Sequence, residues 1–156
     1  MKIRLITVFR NENETVNELT ADYVKRISHY TKIEMVPVKV KRSQKELSII
    51  EQKKEEAELI YISIKPGDYV VILDELGKEF TSAKFADYIR KKMDTSVKSL
   101  VFIIGGAFGF DERLYQSKDD MICLSRLTMP HQLAKLIFTE QLYRAFTIIK
   151  NEKYHH

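Results

Sequence analysis

Leu100-Val101-Phe102-Ile103-Ile104-Gly105-Gly106 is the stretch on which the fold turns. Five apolar residues, three of them β-branched, run without a polar interruption, as in a strand covered on both faces inside a parallel sheet. Two glycines then break it. Tyr69 to Leu73 has the same character; it is entered through the turn residues Lys65-Pro66-Gly67-Asp68 and left through Asp74-Glu75-Leu76-Gly77-Lys78.

Working outward, Ile3 to Phe9 reads as a first strand. Val16, Leu19, Tyr23, Val24 and Ile27 then recur at three and four, as on one face of an amphipathic helix. The chain turns near Tyr30-Thr31 into a β-branched run, Ile33 to Val40. Helices are expected over Ser82 to about Met93 and from about His131 to Ile149, with a short strand, Met121 to Leu124, between them. The order is β-α-β-α-β-α-β-(short α)-β-α. Parallel neighbours need crossover connections, so this alternation predicts an α/β fold: a mostly parallel sheet with helices on both faces, in one domain spanning residues 1–156.

The segment Lys41 to Glu58, dense in charges of alternating sign, reads as a solvated helix with few core contacts. The net charge of +4 favours anionic partners without identifying one. The single cysteine, Cys123, excludes an internal disulfide and a cysteine-based zinc cluster; its neighbours Ile122 and Leu124 make it a core thiol. No apolar run reaches transmembrane length and no leader pattern precedes the first strand, so a cytoplasmic protein without a membrane or metal partner is expected.

In an open parallel sheet, ligands bind beyond the carboxyl ends of the strands, and the segments leaving the last three strands are the most unusual in the chain. The first is Leu73-Asp74 with Gly77-Lys78, an apolar strand end suited to press on a flat ring beside an acid able to accept a hydroxyl hydrogen bond. The second is Gly105-Gly106-Ala107-Phe108-Gly109, whose glycines free the backbone for positive φ or for close approach of a ligand. It has neither the dinucleotide spacing nor the lysine of a phosphate loop. The third is Leu124-Ser125-Arg126-Leu127-Thr128-Met129-Pro130-His131, which leads through proline into a helix first turn, suited to holding an adenine by backbone hydrogen bonds and apolar contacts. Each segment also reads as an ordinary turn when taken alone. The last helix is apolar over more than one stripe, so it has two faces to bury, one in its own core and one against a partner. On the residues alone, Glu140 and Arg144 are first a helix salt bridge at i,i+4.

Together these segments, with Glu140-Gln141-Leu142-Tyr143-Arg144-Ala145-Phe146 and the terminal Tyr154-His155, resemble the ribosomal RNA large subunit methyltransferase H family of the SPOUT class, along the whole chain. The resemblance implies a C-terminal trefoil knot and a homodimer. It implies S-adenosyl-L-methionine as cofactor, held by Leu73, Gly105, Leu124, Ser125, Arg126, Leu127, Thr128 and Met129. It also implies methylation of N3 of a pseudouridine in 23S rRNA of assembled ribosomes. Arg144 and His155, with Tyr154 and His131, are the groups expected to orient the nucleotide and stabilise negative charge on its carbonyls, His155 being the candidate proton acceptor. Lys135 stands where the family often has arginine, and His156 where arginine or lysine is common. Both positions bear on phosphate contacts, since lysine is a point charge. The alternative is a noncatalytic RNA-binding or ribosome-associated factor with the same fold; a damaged glycine loop would mark it, and Gly105-Gly106 is intact.

Overall fold

The computed structural model describes residues 1–9, 13–40 and 47–154. Five strands, β1 (Lys2–Phe9), β2 (Lys32–Lys39), β3 (Asp68–Glu79), β4 (Ser99–Ile104) and β5 (Asp120–Cys123), form one sheet in the order β2-β1-β4-β3-β5. Every pairing is parallel. The helices are α1 (Glu14–Ser28), α2 (Ile49–Ser63), α3 (Ser82–Asp94), α4 (Glu112–Ser117) and α5 (His131–Ile149).

Strand alternation divides the core in two. Leu100, Phe102 and Ile104 face one side with Ile3, Leu5, Val71 and Leu73, under Ile27 of α1, Phe85 and Ile89 of α3 and Phe138, Leu142 and Phe146 of α5. Val101 and Ile103 face the other side with Ile6, Val8, Val70 and Ile72, under Ala57 and Ile60 of α2 and Leu114 of α4. Connections toward β2 thus lie on one face and connections toward β5 on the other, as crossovers of a single hand require. The loops leaving β3 and β4 depart in opposite directions, which opens a crevice between their carboxyl ends.

Helix starts follow local chemistry. Asn13 accepts from the Val16 N–H (3.2 Å), Thr81 from Lys84 (3.3 Å) and Asp111 from Arg113 (3.0 Å), each filling one of the donors a helix start leaves open. The adjoining Arg113 guanidinium holds the Asp111 carboxyl below its ordinary range. Ser48 and Glu51 form a reciprocal capping box.

The charged segment departs from its reading in two ways. Its helix begins at Ile49, and residues 41–46 lie outside those described. The helix is also not merely solvated: Gln52, Glu56, Ala57 and Ile60 are buried on it. These four positions recur at helical spacing, and because one of them is itself a charged residue, Glu56, the buried face is masked in the sequence. Cys123 is buried and free.

At the edge of the sheet the register slips: Ile122 stands opposite both Leu73 and Lys78, so residues 74–77 bulge out of β3. A Cβ on Gly77 would lie 2.5 Å from the Ile122 carbonyl carbon, so β5 passes this point only because residue 77 has no side chain. The first strand end therefore throws Asp74, Glu75 and Leu76 outward while the backbone behind them closes on β5.

Candidate functional site

Three strand-end segments meet where the topology opens the crevice. They enclose a cavity of about 680 Å³, lined by Leu73 to Leu76, by Ile104 to Phe110 with Tyr115, and by Leu124, Ser125, Leu127 to His131 and Ala134. That volume suits a nucleoside-sized ligand.

The glycine loop is bare backbone because its other side is occupied. A Cβ on Gly105 would fall 2.9 Å from Cε1 of Phe110, a ring that is 3 % exposed. On Gly106 it would fall 2.6 Å from Oε2 of Glu56, a buried acid on α2. Gly109, at φ +74°, donates its N–H to the Gly106 carbonyl at 3.3 Å and closes the turn. α5 enters the site behind Pro130, which provides no side-chain cap, so the positive end of a 19-residue helix faces the cavity wall without a capping hydroxyl or carboxylate. Ser125 Oγ instead accepts from the Leu127 N–H at 3.0 Å, shaping the loop before the helix.

Two polar groups converge from the opposite wall. Tyr115 donates to Asp74, and burial, with that hydrogen bond, pushes the phenol up to about 12. Asp74 was legible as a candidate hydroxyl acceptor from its place after Leu73, and the hydroxyl it meets here is the protein's own Tyr115. Tyr115 was not legible, because the six-residue α4 is too short to show a helical period.

Of the eight residues expected to hold a cofactor, seven line this cavity: Leu73, Gly105, Leu124, Ser125, Leu127, Thr128 and Met129. The eighth, Arg126, turns its exposed side chain to Glu79, with Nε 3.3 Å from Oε1. The surfaces suit an adenosyl amino acid: apolar walls from Leu73, Ile104, Leu124 and Met129 and hydroxyls from Ser125 and Thr128. A bare glycine backbone and the Asp74 carboxylate complete them.

Of the four expected catalytic residues, the three that are described do not come together in one chain. His131 lines the cavity. Arg144 and Tyr154 lie apart from it, in an aromatic cluster between α1 and α5; His155 lies outside the described residues. Arg144 Nε and Nη2 reach Glu140 Oε1 at 3.0 and 2.5 Å, so the helix salt bridge is present. Glu140 raises the guanidinium pKa further, keeping Arg144 a cation. The Tyr154 ring stands 4.9 Å from the Arg144 Cζ and 4.7 Å from the Tyr143 ring, and its hydroxyl lies 3.3 Å from Glu140 Oε1. A hydrogen bond with Tyr23, together with burial, pushes the Tyr154 phenol up to about 12, so at neutral pH it is a donor and not a base. Arg144 stands thirteen positions after His131 on α5, about 20 Å along the axis.

Lys135 does not present its charge to a phosphate. It is 7 % exposed and donates to Asn17 Oδ1 at 2.7 Å, joining α5 to α1. Leu133 and Ile137, one turn apart on α5, stay 44 % and 38 % exposed, as does Leu19 of α1 at 50 %. The second apolar face of α5 is thus uncovered in the single chain.

Residues 1–155 match the family model described as "Predicted SPOUT methyltransferase". The chain is 46 % identical over 156 residues to the Ribosomal RNA large subunit methyltransferase H of Parabacteroides distasonis, covering all of this chain and 99 % of the relative. The proteins of the same name from Phocaeicola vulgatus and Christiangramia forsetii are 46 % and 44 % identical with the same coverage.

Proposed function

Since the chain belongs to the SPOUT methyltransferase family, whose fold is a trefoil-knotted α/β sheet, we propose that residues 1–156 act as one enzyme that methylates large-subunit ribosomal RNA. The cofactor is S-adenosyl-L-methionine, which when bound supplies an electrophilic methyl group. The observation that carries the reading is the convergence of Leu73, Gly105, Leu124, Ser125 and Leu127 to Met129 on a single cavity. The substrate is N3 of a pseudouridine in 23S rRNA on assembled ribosomes, and the protein works in the cytoplasm, where those ribosomes are.

Transfer requires the attacking nitrogen behind the methyl carbon and the loss of its proton, so the protein's tasks are positioning and charge stabilisation. Arg144, held as a cation with its plane fixed by Glu140, offers its remaining N–H groups to the carbonyl oxygens on which charge develops. Tyr154, protonated, adds a donor, and His155 takes the proton. His131 borders the cavity at the first turn of α5.

A single chain holds Arg144 too far from the cavity for this, so the working form is a homodimer in which one copy's Arg144 and Tyr154 serve the other's cavity. The uncovered stripe of Leu19, Leu133 and Ile137 supports that reading. Mixing Arg144→Ala chains with chains blocked in the cavity by Leu73→Arg tests it. Activity regained in the mixture, where neither parent has any, is the expected result; none regained would place all groups in one subunit.

Activity itself is tested with labelled cofactor on free 23S rRNA, isolated large subunits and assembled ribosomes lacking the modification. Label at one pseudouridine of the assembled ribosome is expected. Cofactor binding without label on any of the three would leave the noncatalytic RNA-binding factor.

A further inference from the structure

Of eight tyrosines and eight phenylalanines, every one is buried or half-buried except Phe108, which is 44 % exposed. Isolated exposed apolar residues are common, but this one is not isolated. Leu76, 69 % exposed, and Leu127, 78 % exposed, line the same cavity, so each of the three strand-end segments contributes one projecting apolar side chain.

The placement of Phe108 is enforced. The turn from Gly106 to Gly109 puts Ala107 and Phe108 at its two central positions. Gly106 is backed by Glu56 and Gly105 by Phe110, so the interior space beside the loop is already filled. Phe110 points into the core and Phe108, two residues earlier, stays outside. The ring is only partly covered there and stays open to solvent at the entrance to the cavity.

We propose that Phe108 is the platform on which the target base of the RNA stacks as it enters the cavity, with Leu76 and Leu127 excluding water around it. This rests on the reading of the protein as an RNA methyltransferase. A ring nitrogen reaches a cofactor in a closed cavity only after its base leaves the helical stack, and an aromatic face replaces part of the stacking lost. Phenylalanine carries no hydrogen-bonding group, so it supplies affinity and orientation while identity is read elsewhere. The net positive charge of the chain favours a polyanionic partner.

The test compares Phe108→Ala, Phe108→Leu and Phe108→Tyr with the unaltered protein. The readouts are methyl transfer to ribosomes, calorimetric affinity for S-adenosyl-L-methionine, and mass by sedimentation. Phe108→Ala is expected to lower kcat/KM roughly five- to 150-fold, the range for loss of one base stack. Cofactor affinity should stay within about twofold, since binding needs no stack. Phe108→Tyr should retain activity, and Phe108→Leu, apolar but without a ring, should behave like Phe108→Ala. Leucine working as well as tyrosine, or alanine leaving transfer unchanged, overturns the proposal alone. So does a loss of dimer mass in Phe108→Ala, which would make the ring a subunit contact. An unaltered protein that binds cofactor but methylates no RNA overturns the enzymatic reading first, and this proposal with it.

Discussion

The phenol of Tyr115 donates a 2.7 Å hydrogen bond to Oδ2 of Asp74, tying α4 to the bulge of β3 across the mouth of the cavity. Oδ1 of the same carboxylate accepts the Leu76 N–H at 2.9 Å. Asp74 is therefore held from two sides with its remaining lone pairs available to a ligand. Tyr115→Phe should weaken S-adenosyl-L-methionine binding by roughly ten- to 150-fold, the worth of one hydrogen bond to a charged group. Calorimetry at pH 7 checks this; unchanged affinity would mean that the bulge alone aims Asp74.

The same phenol gives the protein a sensitivity to alkali. Tyr115 and Tyr154 both titrate near 12 in the folded chain, above the ordinary value of 10.0. Between about 10 and 12 the folded state retains protons that the unfolded state has released, so stability is full below pH 10 and falls as pH rises through that window. Urea midpoints should decline across it, and more shallowly in Tyr115→Phe. A variant with the same slope as the parent would remove Tyr115 from the effect.

At the opposite end of the sheet, Arg4 Nη1 lies 2.7 Å from Asp68 Oδ2, and Nη2 donates to the Ser63 carbonyl at 2.8 Å. The two side chains are 3 % and 4 % exposed. Asp68→Ala leaves the buried guanidinium with the more distant and more exposed Glu34 carboxylate, 3.7 Å from its Nε, and should cost about 3 kcal/mol of stability. Cofactor affinity should not change, because the pair sits at the amino ends of the strands. A weakened affinity in the folded variant would contradict that separation.

Gly77→Ala should be far more damaging than an ordinary surface glycine change, since the new methyl meets backbone and not a movable side chain. A loss of roughly 3 kcal/mol or more, or failure to fold, is expected from displacing β5. Gly67→Ala offers the contrast: nothing lies within 4 Å of its Cβ, so only the strain of φ +83° is felt, about 1 kcal/mol. Thermal melts of the two variants make the comparison.

Arg144→Ala should lower methyl transfer at least a hundredfold, the scale of losing one charge-stabilising donor. It should leave cofactor affinity nearly unchanged, because Arg144 is not in the wall of its own chain's cavity. Parallel loss of both would assign Arg144 to cofactor binding. Deleting residues 154 to 156 should likewise reduce transfer; full activity would remove the tail from the reaction.

The uninterrupted apolar run from Leu100 to Ile104 made the central strand legible, and the alternation around it made the parallel sheet legible as well. The cavity followed because strand ends are where such sheets bind ligands, and the glycine loop and the proline turn are visible as residues. What stayed hidden depends on contacts between distant segments. Nothing beside Gly77 in the sequence says that Ile122 will press on it. The burial of Glu56 shows only once Gly106 is seen to lack a side chain opposite it. Lys135 reads as a surface cation until Asn17 is found beneath it. Boundaries moved where pairing continued past the bulge, which carried β3 on to Glu79.

The walls of the cavity come from residues 73 to 76, from 104 to 110 with 115, and from 124 to 134, so the first 72 residues of the chain contribute none of them. During synthesis the site therefore stays absent until nearly the whole polypeptide has emerged. A ligand that bridges all three segments then fastens the last-made one to the earlier two. Loading the site with the methyl donor therefore adds to the stability of the whole fold, by about 2.7 kcal/mol at a hundredfold excess over Kd.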